Sequence, residues 1–254
     1  MRALCLPLAF FLAACSPSEP APSMVSPADS LAMSIIEAHG GWEAWAALPT
    51  LRFDWVVERG GAEMFRVRHL WDRAERHARA EWPVGQDSTA VVILDLAAST
   101  PSAPVGRAFL NGQPSPPADS LLADGYSRWV NDSYWMVAPL KTFDPGVNRG
   151  LADDSSGTGP GVLAMSFGDV GLTPGDRYWL FTNAQGDIAR WTYVLEGDTT
   201  ASTWTWSEPA TVQGPRGAVR FLTRKSKPDG TAIVTVPRDD LPADAWTSPS
   251  PILQ

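Results

Sequence analysis

The pattern of apolar and polar positions predicts an amphipathic helix at residues 28–39. One apolar stripe recurs at helical spacing, at Ala28, Leu31, Ala32 and Ile35. Ser26 suits the N-cap, Pro27 suits the first helical position, and Asp29 stands three residues after the cap, as in a capping box. Gly40 supplies the left-handed residue that ends such a helix. A helix with a single apolar stripe must lie on an apolar surface.

After a short aromatic helix, the pattern changes at Leu51 to the period-two alternation of half-buried strands. Residues 51–58, 65–71 and 74–82 alternate in this way and predict three hairpin-linked strands. Residues 90–96 are more continuously apolar, which is typical of a strand covered on both faces. This part of the chain therefore predicts an antiparallel meander.

The second half predicts one more helix and a further series of strands. Residues 119–130 carry apolar side chains at helical spacing and predict a second helix, which Gly125 weakens. Short apolar runs predict strands at 108–110, 134–137, 162–167, 177–182, 188–196, 202–207, 218–225 and 232–236. The loop 183–187 contains Gly186, which can take the positive φ that a hairpin turn needs. The proline-containing tail from Pro237 is expected to lie across the surface.

The first residues predict a signal peptide and a lipid anchor. An apolar run at 3–11 is too short to span a bilayer but suits the core of a signal peptide, here residues 1–14. The following Leu12-Ala13-Ala14-Cys15 resembles a bacterial lipobox. That resemblance implies cleavage before Cys15 and lipidation of its sulfur, which would hold the protein at a membrane through acyl chains. An ordinary signal peptide with an incidental cysteine is the alternative.

The segment after the anchor has the composition of a linker. Residues 15–26 are rich in Pro and Ser and predict a flexible tether, whereas 27–254 form one domain without an internal repeat or a second linker. Ser16 stands where the usual inner-membrane retention signal has Asp. By analogy with Gram-negative sorting, we expect the outer membrane, with the domain facing the periplasm.

Charge and cysteine content limit the partners and the chemistry. The formal net charge is -8, and loss of Arg2 with the signal peptide makes it -9. An acidic surface argues against binding to nucleic acid or to an anionic membrane surface. The two cysteines are Cys5, in the cleaved segment, and Cys15. The mature domain therefore has no disulfide, no cysteine zinc site and no thiol nucleophile.

Candidate catalytic and metal-binding residues are few. A hairpin turn near residue 73 would set His69 opposite His77, but their strand faces differ and no third ligand is indicated. His39 is expected to cap carbonyl groups at the helix end rather than to act as a base. The acidic loop 153–161 lacks the ligand spacing of an EF-hand. A carboxylate pair for glycoside hydrolysis stays open, although no pair is favoured. We expect no metal, no cofactor and no catalytic residues.

Twelve tryptophans are the most unusual feature of the composition. They fall mainly on strand faces, and their rings there can have either of two roles. The rings fill the core beneath a large curved sheet, or they line an apolar cavity for a lipid or another hydrophobic ligand. Strand parity and aromatic size select the candidate cavity wall: Trp55, Phe65, Trp71, Trp135 and Trp191.

Several motifs together resemble an uncharacterised family of bacterial outer-membrane lipoproteins. They are the lipobox, the segments 38–45 and 51–53, the run Tyr134-Trp135-Met136-Val137-Ala138-Pro139-Leu140-Lys141, and the segments 144–146 and 186–191. More distantly, the architecture is similar to the periplasmic lipoprotein-carrier fold, an incomplete antiparallel barrel plugged by helices. That resemblance implies a concave face that holds acyl chains. An anchored protein cannot shuttle, so a fixed lipid-binding role is expected.

The sequence thus predicts a mainly β (α+β) domain, a curved antiparallel half-barrel with helices 28–39 and 119–130 on its concave face. The predicted function is a non-enzymatic, membrane-anchored lipoprotein that binds a hydrophobic ligand in this half-barrel. A structural or assembly lipoprotein with a filled core, acting through protein partners of unknown identity, is one alternative. A hydrolase is another. The ligand-binding lipoprotein and the structural lipoprotein differ in the role of Leu31 and Ile35. These side chains move aside for a ligand in the first and plug the barrel permanently in the second.

Overall fold

A computed structural model describes residues 20–115, 118–153, 161–168 and 172–253 of the chain. Its helices are α1 (Pro27–Ala38), α2 (Trp42–Ala47) and α3 (Ala118–Val137), and a 3₁₀ helix, Ala138–Lys141, follows α3. The first six strands are β1 (Thr50–Arg59), β2 (Ala62–Asp72), β3 (His77–Val84), β4 (Ser88–Asp95), β5 (Gly106–Leu110) and β6 (Gln113–Pro114). The others are β7 (Val147–Ala152), β8 (Val162–Phe167), β9 (Arg177–Thr182), β10 (Ile188–Val194), β11 (Ser202–Gly214), β12 (Gly217–Ser226) and β13 (Thr231–Arg238). The predicted signal peptide, Cys15 and most of the acidic loop 153–161 lie outside the described residues.

The predicted start of α1 is confirmed in detail. The Ser26 hydroxyl oxygen accepts a hydrogen bond from the Asp29 amide at 3.1 Å and donates to the Asp29 carboxylate at 2.8 Å. Arg149 of β7 also donates to this carboxylate, at 2.7 Å. The helix ends at Ala38, His39 is its C-cap, and Gly40 follows with a φ of +107°. A Cβ at Gly40 would lie 2.2 Å from the Ala218 carbonyl oxygen, so the chain needs glycine to pass this close to β12.

Within the described residues, thirteen strands form one antiparallel sheet, in the order β6-β5-β4-β3-β2-β1-β13-β12-β11-β10-β9-β8-β7. The chain enters at the centre with β1 and builds outward to one edge, β6. Helix α3 then crosses to the opposite edge, where β7 begins the return toward the centre. The sheet closes on itself at neither edge, so it is an open half-barrel, as predicted.

The helices pack on one face of the sheet, the concave face. Three apolar clusters fill most of the space between helices and strands. The first joins Leu31, Ile35 and Trp135 to strands β8–β13, and the second joins Ile36, Trp45 and Met136 to β1 and β12. The third joins Leu122 of α3 to β2–β5. Core filling therefore accounts for several tryptophans, among them Trp45, Trp82, Trp204 and Trp206.

Residues 134–137 form the last turn of α3, so the strand predicted there is wrong. Trp135, Met136 and Val137 are all buried because this turn is enclosed by the sheet on one side and by α1 and α2 on the other. A short run that is apolar on every side has the same pattern in a buried helix and in a buried strand. The helix consequently extends seven residues beyond its predicted end at Val130.

Gly125 lies inside α3 and has a packing role. A Cβ there would stand 2.6 Å from a Val92 methyl group, since the helix lies directly on β4 at this point. Two further strands, β6 and β7, had not been predicted, and β11 runs well beyond its predicted end. The continuation of β11 contains Glu208 with φ +60° and Pro209, an irregularity where the strand tolerates proline.

Candidate functional site

A cavity of about 440 Å³ remains open at one end of the concave face. It lies between the C-terminal half of α3, the segment 141–147 and strands β8–β10. Seven aromatic rings line it: Trp129, Tyr134, Trp135, Phe167, Tyr178, Trp191 and Tyr193. Its volume falls within the range of roughly 300–1,000 Å³ that is typical of small-molecule sites.

The rings of the wall are packed against one another in edge-to-face and tilted contacts. Trp191 is at the centre, with centroid distances of 4.8 Å to Trp135, 5.2 Å to Tyr178 and 5.3 Å to Tyr193. Phe167 stands 4.9 Å from Tyr178 and extends the wall onto β8. This arrangement fixes the wall as a rigid apolar surface, because each ring is held by at least one other.

The Tyr134 hydroxyl is a polar group buried within the wall of the cavity. Its oxygen is shielded from solvent and has no hydrogen-bond partner among the described residues. Burial raises its pKa well above the ordinary value, and the Asp144 and Asp176 carboxylates add to the effect. The phenol therefore stays neutral and can donate its proton in a hydrogen bond. The indole Nε1 atoms of Trp129 and Trp191 are likewise buried without a partner in the described structure.

Asp176 is a buried carboxylate at the wall, and its own hydrogen bonds are satisfied. It accepts from the Thr173 hydroxyl at 2.7 Å, the Tyr178 hydroxyl at 2.8 Å and the Glu196 amide at 2.7 Å. Burial, followed by the Asp176 charge, raises the pKa of Tyr178 well above its ordinary value. The carboxylate thus positions the Tyr178 ring, and its own acceptor atoms are occupied by groups of the wall.

The rim of the cavity carries an ion pair. Lys141 and Asp144 form it, three residues apart and both partly exposed. The Lys141 ammonium also lies 5.9 Å from the centre of the Trp71 ring. Leu172 and Leu195, both more than a third exposed, add apolar surface to the rim. The site therefore combines an aromatic interior with a charged edge.

Two of the five predicted cavity residues, Trp135 and Trp191, line this cavity. Trp55 contacts all three apolar clusters in the middle of the concave face. Trp71 packs edge-on against Trp45 and Trp129, at 6.2 and 5.7 Å between ring centres. Phe65 lies under the Arg128 guanidinium, 5.1 Å from it, beside a smaller cleft near β2.

Two solved structures are similar to this chain. One is a LolA superfamily protein from Nitrosomonas europaea, at 14% identity and a TM-score of 0.42, covering 85% of this chain and 97% of its own. The other is a domain from Vibrio parahaemolyticus named for outer membrane lipoprotein sorting, at 9% identity and a TM-score of 0.39, covering 86% and 95%. No family model and no curated protein matches.

Several residues of the cavity had not been selected from the sequence. Tyr193 shares strand parity with Trp191, so the same reasoning could have found it. Tyr178 was harder to find, since Trp179 and Phe181 place aromatic rings on the other face of the same strand. Tyr134 was missed because its segment was predicted as strand.

The three histidines have other surroundings. His39 is buried and its Nδ1 lies 2.8 Å from the Ile35 carbonyl oxygen, which confirms the expected capping role. Burial lowers the pKa of His39. His69 lies on the concave face, 2.8 Å from Asp132 of α3, whereas His77 contacts Trp246 on the convex face. The two strand histidines therefore cannot share a metal ion.

Within the part of the chain that the structure describes, no helix is long and apolar enough to cross a membrane.

Proposed function

We propose that this protein is a membrane-anchored lipoprotein, not an enzyme, that binds a lipid or another hydrophobic ligand at the open end of its half-barrel. The observation that carries the proposal is the aromatic cavity of about 440 Å³ between α3 and strands β8–β10. An apolar ligand would replace water against these rings, which is favourable in proportion to the apolar area covered.

The polar groups of the cavity favour a ligand that carries a hydrogen-bond acceptor. Tyr134, Trp129 and Trp191 of the wall carry donors that are buried and have no partner in the described residues, so an acceptor of the ligand would reach them where the rings move apart. A buried donor without a partner costs roughly 1–3 kcal/mol, and an acceptor on the ligand would remove that cost. The carbonyl oxygen of an ester or a carboxyl group on an acyl chain has this chemistry.

Native mass spectrometry of protein purified from membranes tests the proposal first. We expect a co-purified lipid whose mass is released on denaturation. A fluorescent fatty acid should also bind the delipidated protein. Excitation of the cavity tryptophans should then produce emission from the bound probe by energy transfer. Absence of both signals would contradict the proposal and favour the structural lipoprotein with a filled core.

A variant pair on β7 locates the bound ligand. Val147 lines the cavity, whereas Leu151 lies on the same strand, 55% exposed and away from it. Val147→Trp should weaken probe binding at least tenfold by filling the space, and Leu151→Trp should leave it unchanged. Equal binding by both variants would place the ligand elsewhere.

The anchor is tested separately. Cys15→Ala should abolish incorporation of labelled palmitate. Incorporation of the label at the wild-type level by the variant would refute lipidation at Cys15.

A further inference from the structure

The two charged side chains at the rim of the cavity, Lys141 and Asp144, stand on a fixed main chain. We call them the rim pair. The Asp144 amide donates to the Lys141 carbonyl oxygen at 3.0 Å, and the Val147 amide donates to the Asp144 carbonyl oxygen at 3.1 Å. Arg149 of β7 donates to the carbonyl oxygens of Thr142 at 2.7 Å and Val147 at 3.1 Å. Two successive turns, held from β7, therefore place both charges at the opening of the cavity.

The side chains of the rim pair are open to a new partner, although the main chain beneath them is fixed. Their exposed fractions are 26% for Lys141 and 38% for Asp144. An ion pair with this exposure contributes at most about 1 kcal/mol to stability, so a ligand can replace it at little cost. The ammonium has three N–H donors and the carboxylate has two acceptor oxygens. Each group can thus bind a charge of the ligand while it still faces the other.

Among the described residues that line the cavity, the rim pair supplies the only charges within reach of a ligand. The charged side chains of the lining are Lys141, Asp144 and Asp176. Asp176 is buried, and both of its oxygens already accept hydrogen bonds from the wall. An anionic head group would approach Lys141 against the repulsion of Asp144, and a cationic one would meet the reverse. A head group that carries both signs has a partner for each of its charges.

The charge of the whole chain favours the same class of ligand. The formal net charge is -8, so the field of the protein repels an anionic lipid as it approaches. A zwitterionic head group has no net charge and escapes this repulsion. Its two charges are then available for short-range contacts at the rim, where a charge-assisted hydrogen bond is stronger than a neutral one.

We propose that the rim pair selects a lipid with a zwitterionic head group, a phosphate joined to a primary ammonium. The phosphate accepts from the Lys141 ammonium, the ligand's ammonium donates to the Asp144 carboxylate, and the acyl chain lies against the aromatic rings. This inference rests on the proposed lipid-binding function and names the ligand class of the same cavity. A primary ammonium is required because a trimethylated one has no N–H group to donate to Asp144.

Three lysophospholipids with the same acyl chain and different head groups test this proposal. Their binding to the delipidated full chain is measured by titration calorimetry below the micelle concentration. We expect the phosphoethanolamine lipid to bind at least about tenfold more tightly than the phosphoglycerol lipid, which lacks the positive charge. The phosphocholine lipid, which lacks the N–H donors, should bind at least about threefold more weakly than the phosphoethanolamine lipid.

Variants of the rim pair assign the preference to its two members. Asp144→Asn should remove the preference over the phosphoglycerol lipid, mainly because that lipid then binds more tightly. Lys141→Met should weaken the binding of all three phosphates. Glu63→Gln is the matched control, since Glu63 forms an ion pair with Arg66 that has the same spacing of three residues and lies outside the cavity. This variant should leave the ratio of affinities unchanged.

The possible failures of the head-group assignment and of the proposed function are distinguishable. Equal affinities for the three lysophospholipids, or a preference that Asp144→Asn retains, would overturn the assignment and leave the cavity as a lipid site. Binding of the fluorescent fatty acid but of none of the three lysophospholipids would overturn it as well. Binding of neither the fatty acid nor any lysophospholipid would refute the proposed function together with the assignment.

Discussion

Replacement of Lys225 by Met should remove a specific dependence of stability on pH. Lys225 of β12 is fully buried, with its ammonium nitrogen 2.9 Å from the Thr235 hydroxyl and 4.6 Å from the centre of the Trp206 ring. No carboxylate forms an ion pair with it among the described residues. Burial lowers the pKa of Lys225 well below its ordinary value, so the folded state favours the neutral amine.

The sign and size of the effect follow from this direction. Between the folded pKa and the unfolded value of about 10.4, the unfolded state binds one more proton than the folded state. Stability therefore rises with pH across this window, by at most about 1.4 kcal/mol per pH unit. From pH 7.5 to 9 the gain amounts to up to about 2 kcal/mol. This pH range lies above the unfolded pKa of His39, about 6.5, and below the unfolded pKa of Tyr134 and Tyr178, about 10. The other groups with shifted pKa values in this part of the pH scale therefore add little to the slope.

Denaturant unfolding followed by tryptophan fluorescence measures the effect at pH 7.5, 8.25 and 9. The wild type should gain stability over this range, whereas Lys225→Met should show a flat profile and be at least as stable at pH 7.5. Lys227→Met is the control, because that side chain is partly exposed, and it should keep the wild-type slope. Identical slopes for wild type and Lys225→Met would refute the reasoning and show that the folded protein keeps this amine protonated.

Three further changes test the fold. Ile35→Asp places a carboxylate in the fully buried core and should lower the free energy of unfolding by more than about 4 kcal/mol. Circular dichroism should then show an unfolded domain. Ile35→Val is the control and should lower the free energy of unfolding by about 1 kcal/mol. Gly40→Ala should cost roughly 2 kcal/mol or more in denaturant unfolding, since its Cβ would meet the Ala218 oxygen at 2.2 Å. Arg149, followed by Ser26, lowers the pKa of Asp29 to about 2. Asp29→Asn should therefore lose stability at pH 7 and match the wild type as the pH falls toward 2.

Local signals predicted much of the fold. The cap at Ser26, the stop at Gly40 and the strands Val162–Phe167 and Arg177–Thr182 are confirmed to the residue. Each depends on neighbouring residues alone, through a capping contact, a positive φ or a period of two. The half-barrel and its helices were also predicted, with the help of the family resemblance.

Features that depend on distant contacts were not accessible in this way. The last turn of α3 is helical because α1, α2 and the sheet enclose it, and Gly125 is tolerated because Val92 lies beneath it. The alternation of β3 gave Arg79 and Glu81 the pattern of a solvated face, yet the tail buries them. The cavity likewise depends on where α3 ends. Strand parity assigned Trp191 to it and could have added Tyr193, whereas Trp135 was selected from a segment that is helix and not strand.

The pairing of the first strand with the last has a consequence for the order of folding. Residues Trp55 and Thr235 are opposite each other in the sheet although 180 positions separate them along the chain. The wing β1–β6 and the wing β7–β12 become one surface only when β13 is inserted between β1 and β12. Such remote pairing slows folding, and a chain that stops before Thr231 would leave two wings with long unpaired edges open to aggregation. Pairing of the final strand with β1 and β12 is thus the step that joins the two wings into the folded domain.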